Sequence, residues 1–279
     1  MSAVDLPVAG WKAELALEYQ RHGDRTVLAK RRHEGPLVVQ KALYPEGEQV
    51  CHAIVVHPPG GIAGGDELDI ALDVAAGAHA LLTTPGAAKW YRSAGPWARQ
   101  RIAIHVAQGA ALEWLPQETI VFDGAAARIS TEVRLARDAR YLGWEIVCLG
   151  RTGSGERFSH GVCHFSTALH REGRLVLHER GRIDGGSALQ ESPAGLAGKP
   201  VYGTLCASFP GVAADHVQTC RNAKPARGHG AVTLLPGVLI ARYLGESTES
   251  ARLYFAAIWK LLRPALCARE AVMPRIWRT

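Results

Sequence analysis

The sequence predicts a mainly β fold, an antiparallel scaffold of several sheets with few helices. Apolar and polar residues alternate with a period of two from about residue 26 to residue 182, as they do along half-buried strands. Glycine and proline occupy the breaks between these segments, where chain reversals use their backbone conformations. One long apolar segment near the C-terminus departs from this pattern and has helical features.

The clearest strand is predicted over Glu67–Val74, where every second residue is apolar. Arg128–Leu135 and Ile102–Val106 alternate in the same way, and helical spacing would scramble these faces. Turn formers stand between the strands at residues 58–61, 64–65, 85–86, 109 and 123–124. Because such connections are short, we expect neighbouring strands to pair as meanders and not as βαβ units.

A break in the alternation at Ser187–Lys199 predicts a short helix or a loop. It marks a weak internal boundary, near residues 187–200, in what we expect to be a single domain of residues 1–279. No internal repeat is visible. Strands are expected to resume near four valines, Val201, Val217, Val232 and Val238.

The strongest helix prediction covers Ser247–Leu262. Ser247 or Thr248 can cap its first turn, and the acidic residues beside them suit the positive end of the helix dipole. Pro264 is expected to interrupt the helix. Because the segment is apolar nearly all round, it must be covered either by its own domain or by a partner.

Composition and charge favour a folded, turn-rich protein whose partners are not nucleic acids. The 279 residues carry a formal net charge of +6, with 47% apolar and 21% charged residues. Lysines and arginines are scattered, and the densest run, Lys30–His33, is typical of a solvated strand end. The modest positive excess fits an acidic protein partner better than a nucleic-acid groove.

Cysteine usage and hydropathy favour a cytoplasmic location. The six cysteines show no C-x-x-C spacing and mostly sit inside apolar runs, as reduced cysteines do. Residues 1–11 lack the basic and apolar regions of a signal peptide. No stretch reaches the roughly eighteen apolar residues that span a bilayer, so neither secretion nor membrane insertion is expected.

Enzyme signatures are missing, so the sequence predicts no catalytic residues and no tightly bound cofactor. Gly195–Pro200 has the wrong spacing for a phosphate-binding loop. Gly150–Gly155 matches neither such a loop nor the glycine setting of a nucleophilic serine. The adjacent Cys-His pairs at 51–52 and 163–164 point to opposite strand faces, so neither pair holds one metal ion with both side chains.

Four acidic residues on otherwise apolar strand faces are the candidate functional residues. They are Asp66, Glu118, Glu145 and Glu179. A carboxylate in such a place costs free energy unless it is paired, hydrated or functional. One interpretation is a hydrated passage whose oxygen atoms let a divalent ion pass without holding it. The other is a set of buried ion pairs with arginines such as Arg92, Arg151 or Arg180.

Six strings along the chain are distinctive when they are taken together. They are HPPGGIAGGDEL at 57–68, TTPGAAKWYRS at 83–93, EWLPQETIVFDGA at 113–125, GWEIVCLGRTGSGE at 143–156, PAGLAGKPVYGTL at 193–205 and PRIWRT at 274–279. In this order they resemble the urease accessory protein UreD (UreH) family, over most of the chain. The resemblance implies a helicoid-like β fold that coils through successive sheets, with few helices.

The resemblance also implies a function in urease maturation without catalysis. Family members bind UreF, recruit the nickel-carrying GTPase UreG through UreF, and dock on apo-urease, where nickel is inserted. For this chain the resemblance implies nickel as a transient cargo and an internal passage. The positions of Asp66, Glu118, Glu145 and Glu179 on apolar strand faces support such a passage independently. It allows a dimer within the accessory complex.

Two alternatives of different class remain open. One is an enzyme whose active site is assembled from a polar cluster, namely Thr83, Thr84, Lys89, Tyr91 and Arg92. The other is a protein-binding scaffold without a metal passage, in which the four acidic residues are dispensable for urease activation.

Overall fold

The computed structural model describes residues 10–278, which form two stacked β-sheets with helices on one outer side. About 48% of the chain is strand and 14% is helix, which confirms the mainly β prediction. One apolar core lies between the sheets, and a second lies between the larger sheet and the helix near the C-terminus. The predicted single domain stays a prediction.

The smaller sheet has seven strands. In spatial order they are β14 (Arg174–Asp184), β13 (Val162–Arg171), β11 (Ala126–Leu135), β8 (Ala98–Val106), β5 (Glu67–Val74), β1 (Lys12–His22) and β2 (Arg25–Glu34). The predicted strand at Glu67–Val74 is confirmed as β5. Its leucine, isoleucine and valine side chains are buried, and the residues between them are partly or fully exposed, as expected.

The larger sheet has ten strands. Its main path is β16 (His229–Leu235), β17 (Val238–Gly245), β15 (Val201–Ser208), β12 (Arg140–Leu149), β9 (Ala111–Leu115), β6 (His79–Thr83), β4 (Cys51–Val56) and β3 (Val38–Val39). The short strand β10 (Thr119–Val121) pairs with β12 and with β7 (Ala88–Trp90). The helices are α1 (Ala188–Glu191), α2 (Ala214–Arg221) and α3 (Thr248–Cys267).

The predicted antiparallel pairing is wrong for the middle of the smaller sheet and for one half of the larger sheet. Strands β1, β5, β8, β11 and β13 run parallel, as do β4, β6, β9 and β12. Successive strands from β4 to β13 mostly alternate between the two sheets. Two parallel neighbours in one sheet are therefore connected through a strand of the other sheet. Antiparallel pairs occur at the edges of the smaller sheet, β1 with β2 and β13 with β14, and in the other half of the larger sheet, from β12 through β15 and β17 to β16.

The coil repeats one turn at three successive corners. The turn is formed by residues 75–78, 107–110 and 136–139. In each, the amide of the fourth residue donates to the carbonyl of the first, over 3.0, 3.1 and 3.2 Å. The turns stack, because the Ala111 amide donates to Ala78 and the Arg140 amide to Ala110, each over 2.9 Å. Short connections thus join strands of different sheets, which is why they do not form meanders. The expectation of no internal repeat is wrong at this level.

Helix α3 is longer than predicted and is covered by its own fold. It begins after Ser247, whose hydroxyl accepts a hydrogen bond from the Ser250 amide over 3.1 Å, and it packs on β12, β15 and β17. It continues through Pro264 to Cys267, so the predicted interruption is wrong. Pro264 removes only the donor to the carbonyl of Lys260, an exposed residue where water can take its place.

Capping by Ser247 gives a measurable prediction. Ser247→Ala should lower the free energy of unfolding by about 1 kcal/mol, because the Ser250 amide loses its acceptor. Urea unfolding of the two proteins checks this value. Ser247→Asp, which keeps an acceptor at the same position, should be nearly neutral, and an equal loss in both variants would contradict the capping role.

The region between residues 187 and 221 corrects one strand prediction. Ser187–Lys199 contains α1 followed by turns, as expected for a short helix or loop. Val217 lies in α2 and not in a strand, whereas the strands near Val201, Val232 and Val238 are confirmed. Among residues 10–278, no helix has the length and apolar character needed to cross a membrane.

Candidate functional site

A cavity of about 740 Å³ lies between the two sheets. In the larger sheet its wall runs from Val55 on β4 to Arg242 on β17, and in the smaller sheet from Leu68 on β5 to Glu179 on β14. These strands lie toward opposite sides of their sheets, so the cavity crosses most of the width of the fold. Its lining mixes apolar side chains with hydroxyl, amide and carboxyl groups.

Glu145 is the acidic residue at the centre of the cavity wall. It lies on β12 between Tyr141 and Val147, on the face that points toward the smaller sheet. Burial, and secondarily the nearby charge of Glu179, raise the pKa of Glu145 to about 7. Within residues 10–278 it has neither an ion pair nor a hydrogen-bond donor, and the Tyr202 hydroxyl beside it in the cavity is also unpartnered.

Glu179 closes one side of the cavity where the two sheets approach each other. It lies on the edge strand β14, and its carboxylate accepts a hydrogen bond from the guanidinium of Arg242 on β17. Its side chain is 17% exposed and that of Arg242 is 54% exposed, so the pair stands between the cavity and solvent. Of the two carboxylates in the cavity, only this one is neutralised.

The arginine partners expected for the acidic residues are different in the structure. Arg92 lies 3.6 Å from Asp123, and Arg151 lies 2.7 Å from Glu156. Arg180 lines the cavity beside Glu179 but forms no ion pair within residues 10–278. Glu179 therefore pairs with an arginine, as one interpretation predicted, but the partner is Arg242 and not one of the three arginines named from the sequence.

The other two predicted acidic residues lie outside the cavity. Asp66 is 8% exposed and accepts hydrogen bonds from the amides of Trp11 and Ala63, each over 2.8 Å, so one oxygen holds the turn before β5 and the other holds the residue before β1. Glu118 is half-buried in the loop before β10, while its neighbours Gln117 and Thr119 line the cavity. The structure thus brings Glu145 and Glu179 together, and metal contact by any of the four stays a prediction.

The remaining donors of the cavity suit weak metal contact. Burial raises the pKa of the Cys206 thiol to about 12, so this sulfur is protonated near neutral pH and is a poor ligand. Hydroxyls of Thr131, Thr167 and Thr204 also line the cavity. Oxygen donors of this kind exchange with water readily and do not form the closed sulfur and imidazole cages of tight sites.

A second buried cluster, which the sequence analysis missed, connects α3 to the larger sheet. The Glu113 network is centred on Glu113 and Arg263, both 0% exposed. The Arg263 Nε lies 2.9 Å from Glu113 Oε2, and its Nη2 lies 2.7 Å from Glu46. His79 approaches Glu113 to 2.8 Å, and the Trp259 indole donates to the same carboxylate.

The charges in the Glu113 network are matched inside the protein. Burial alone would raise the pKa of Glu113, but hydrogen bonding and charge from His79 and Arg263 lower it to about 2. His79, Glu113 and Cys267 bring ligand atoms within 4.8 Å of one another, as a metal site would. However, the Glu113 oxygens are occupied by Arg263 and Trp259, and burial raises the pKa of Cys267 well above its usual value. The cluster fits an ion-pair network better than a cation site.

Comparison with known proteins identifies the family. A family model described as UreD urease accessory protein matches residues 12–278. The chain belongs to the UreD family of urease accessory proteins. It is 58% identical over 274 residues to "Urease accessory protein UreD" of Dechloromonas aromatica (strain RCB), covering 96% of this chain and 95% of the relative. It is 56% identical over 270 residues to the protein of the same name from Azoarcus sp. (strain BH72), covering 97% and 95%. UreD membership implies a role in urease maturation.

The strings that carry the UreD resemblance converge on the cavity. Residues lining it come from the segments 57–68, 84–89, 114–119 and 143–146, which are distant along the chain. The coil of the fold brings these segments together between the sheets. The cavity is therefore the part of the described chain in which the UreD strings meet.

The polar cluster of the alternative enzyme interpretation is divided between contacts that hold loops and the lining of the cavity. The Thr83 hydroxyl donates to the Leu115 carbonyl over 2.6 Å and accepts from the Trp277 indole over 2.8 Å. The Thr84 hydroxyl accepts the Gln117 amide over 2.9 Å. Arg92 is 75% exposed and faces Asp123. Thr83, Thr84 and Arg92 thus make contacts at strand ends and in loops, while Thr84 and Lys89 also line the cavity.

Proposed function

We propose that this protein is a non-catalytic scaffold of urease maturation that binds apo-urease and UreF, and through UreF the GTPase UreG. Nickel crosses it as a transient cargo, through the cavity between the sheets and past Glu145 and Glu179. Membership of the UreD family supports the role in urease maturation. The partners follow from the family resemblance, as does a cytoplasmic location with room for a dimer in the accessory complex.

The observation that carries the nickel route is the cavity itself. It crosses most of the width of the fold and contains a carboxyl group, Glu145, without a protein counter-charge. An isolated acid in a dry core would be costly, whereas an acid facing hydrated space can bind and release a cation. The buried ion-pair interpretation accounts for Glu179 but not for Glu145.

Weak ligation is a requirement of this function. A cargo must leave for urease, so the passage needs donors that replace part of the ion's hydration without enclosing it. Carboxylate and hydroxyl oxygens of the cavity meet this need better than the protonated Cys206 thiol. We therefore expect the purified chain to bind nickel with a Kd in the micromolar range or weaker.

Blocking the cavity tests the proposal. Thr167 on β13 lines the cavity, so Thr167→Trp should fill part of it and lower the nickel content of urease several-fold. Co-purification with UreF and apo-urease should persist, because the substitution lies between the sheets. Nickel per urease active site and complex yield are measured after co-expression with UreF, UreG and apo-urease.

The neighbouring residue provides a matched control. Ser166 precedes Thr167 on the same strand, so its side chain points to the opposite face of the sheet and does not line the cavity. Ser166→Trp adds the same side chain without entering the cavity and should leave nickel delivery unchanged. If Thr167→Trp assembles normally and delivers nickel fully, the protein is a binding scaffold without a metal passage.

A further inference from the structure

The outer face of the seven-stranded sheet carries no helix of residues 10–278. Side chains that point away from the cavity alternate with buried ones on β1, β5, β8 and β11. Helix α2 packs on β16, and α3 packs on β12, β15 and β17, all in the other sheet. At the centre of the face the outward residues are small, with Ala71 beside Ala103 in register.

Charges on this surface, which we call the dipolar face, are separated into two halves. Acidic side chains predominate on β1 and β5, at Glu14, Glu18, Glu67, Asp69 and Asp73. Basic side chains predominate on β8, β11 and β14, at Arg99, Arg101, Arg128, Arg134 and Arg182. Some charges are matched within the chain: Glu18 and Glu14 pair with Lys30 and Arg32 on the edge strand β2, and Glu67 and Asp73 on β5 pair with Arg99 and His105 on β8.

The boundary between the halves runs between β5 and β8. Asp69 and Arg101 face each other in register across this boundary, and both are exposed. Neither forms an ion pair within residues 10–278. Two opposite charges that stand side by side without pairing remain available to a partner with the complementary arrangement.

We propose that the dipolar face binds the same face of a second copy of this chain. A two-fold axis parallel to the strands, between β5 and β8, places the acidic half of each copy on the basic half of the other. Asp69 of one copy then meets Arg101 of the second copy, and the contact occurs twice. An interface of this kind is isologous, so one surface satisfies both partners.

The size of the face is sufficient for a specific dimer. Seven strands about 4.8 Å apart and about eight residues long cover roughly 750 Å². A standard interface buries about 800 Å² on each partner. Because the contact is between charged side chains, the association should weaken as salt increases. The proposed dimer does not depend on the proposed nickel route.

Two charge reversals test the contact in the full-length chain. Asp69→Arg and Arg101→Asp should each weaken dimerisation at least tenfold, because like charges then face each other across the axis. An equimolar mixture of the two variants should restore the dimer, since every cross-axis pair in the mixed dimer is again of opposite sign. Sedimentation velocity over a concentration series at low and high salt measures the dimer constants.

The mixing experiment separates this contact from changes within one chain, which mixing cannot repair. Asp215→Arg on α2, an exposed residue far from the dipolar face, makes the same charge change and should leave the dimer intact. If the wild-type chain is monomeric at low salt, the proposal is wrong. Binding of an acidic protein by such a monomer would not support it. A wild-type dimer that neither variant weakens, or variants that stay monomeric when mixed, overturns it as well.

Discussion

Arg263→Met should lower the free energy of unfolding by about 3–5 kcal/mol, the cost of removing one partner from a buried ion pair. The substitution leaves the carboxylates of Glu113 and Glu46 inside the protein without their guanidinium. Since Arg263 also connects the end of α3 to the larger sheet, the loss should unfold the chain cooperatively and not only fray the helix. Urea unfolding near neutral pH measures the difference.

A half-exposed ion pair provides the control for this prediction. Arg242→Met removes the partner of Glu179, but the Arg242 side chain is 54% exposed and water can solvate what remains. Loss of the Arg242 guanidinium should lower the free energy of unfolding by less than about 1 kcal/mol. Adding Glu113→Gln to Arg263→Met should recover part of the stability, because the stranded charge is removed. Equal losses for Arg263→Met and Arg242→Met would show that burial of the Glu113 network contributes little.

Strand positions could be predicted from the sequence because burial on one face leaves a period-two pattern. Glu67–Val74 and Arg128–Leu135 both fall within observed strands. The pattern gives the side-chain direction but not the partner strand, so it does not separate parallel from antiparallel pairing. Information on which strands are neighbours is present in the turns at 75–78, 107–110 and 136–139. Their sequences, AAGA, AQGA and ARDA, place the same corner in three successive coils.

The candidate site was predictable in part for the same reason. Alternation along β12 and β14 places Glu145 and Glu179 on inward faces, and both line the cavity. Asp66 precedes its strand and holds a turn, which alternation alone does not reveal. Glu113 lies on a strand buried on both faces, where no period-two pattern exists to mark it. Its partner Arg263 is 150 residues away in the chain, and such pairing depends on tertiary packing.

Glu145→Gln should stabilise the protein near pH 8 and change its stability little near pH 5. The pKa of Glu145 is raised from 4.5 to about 7 in the folded chain. Between these values the folded state holds the proton more tightly than the unfolded state, so stability falls as pH rises through this window. Above pH 7 the ionised carboxylate costs about 3 kcal/mol, which glutamine avoids. Thermal or urea unfolding at the two pH values checks the sign.

The same substitution should impair nickel delivery although it improves stability. Glutamine keeps the shape of the side chain but removes the charge that offsets part of the ion's lost hydration in the cavity. We expect several-fold less nickel per urease active site, with unchanged co-purification of UreF and apo-urease. Stability and delivery then change in opposite directions, which general damage to the fold cannot produce.

Glu118→Gln makes the same chemical change outside the cavity and should leave nickel delivery intact. The contrast between the two glutamates therefore locates the route. A Glu145→Gln chain that shows the gain in stability near pH 8 and still loads urease fully would place Glu145 in hydrated space that nickel does not cross. The protein would then act in urease maturation through its binding surfaces, and the cavity would be a packing defect between two coiled sheets.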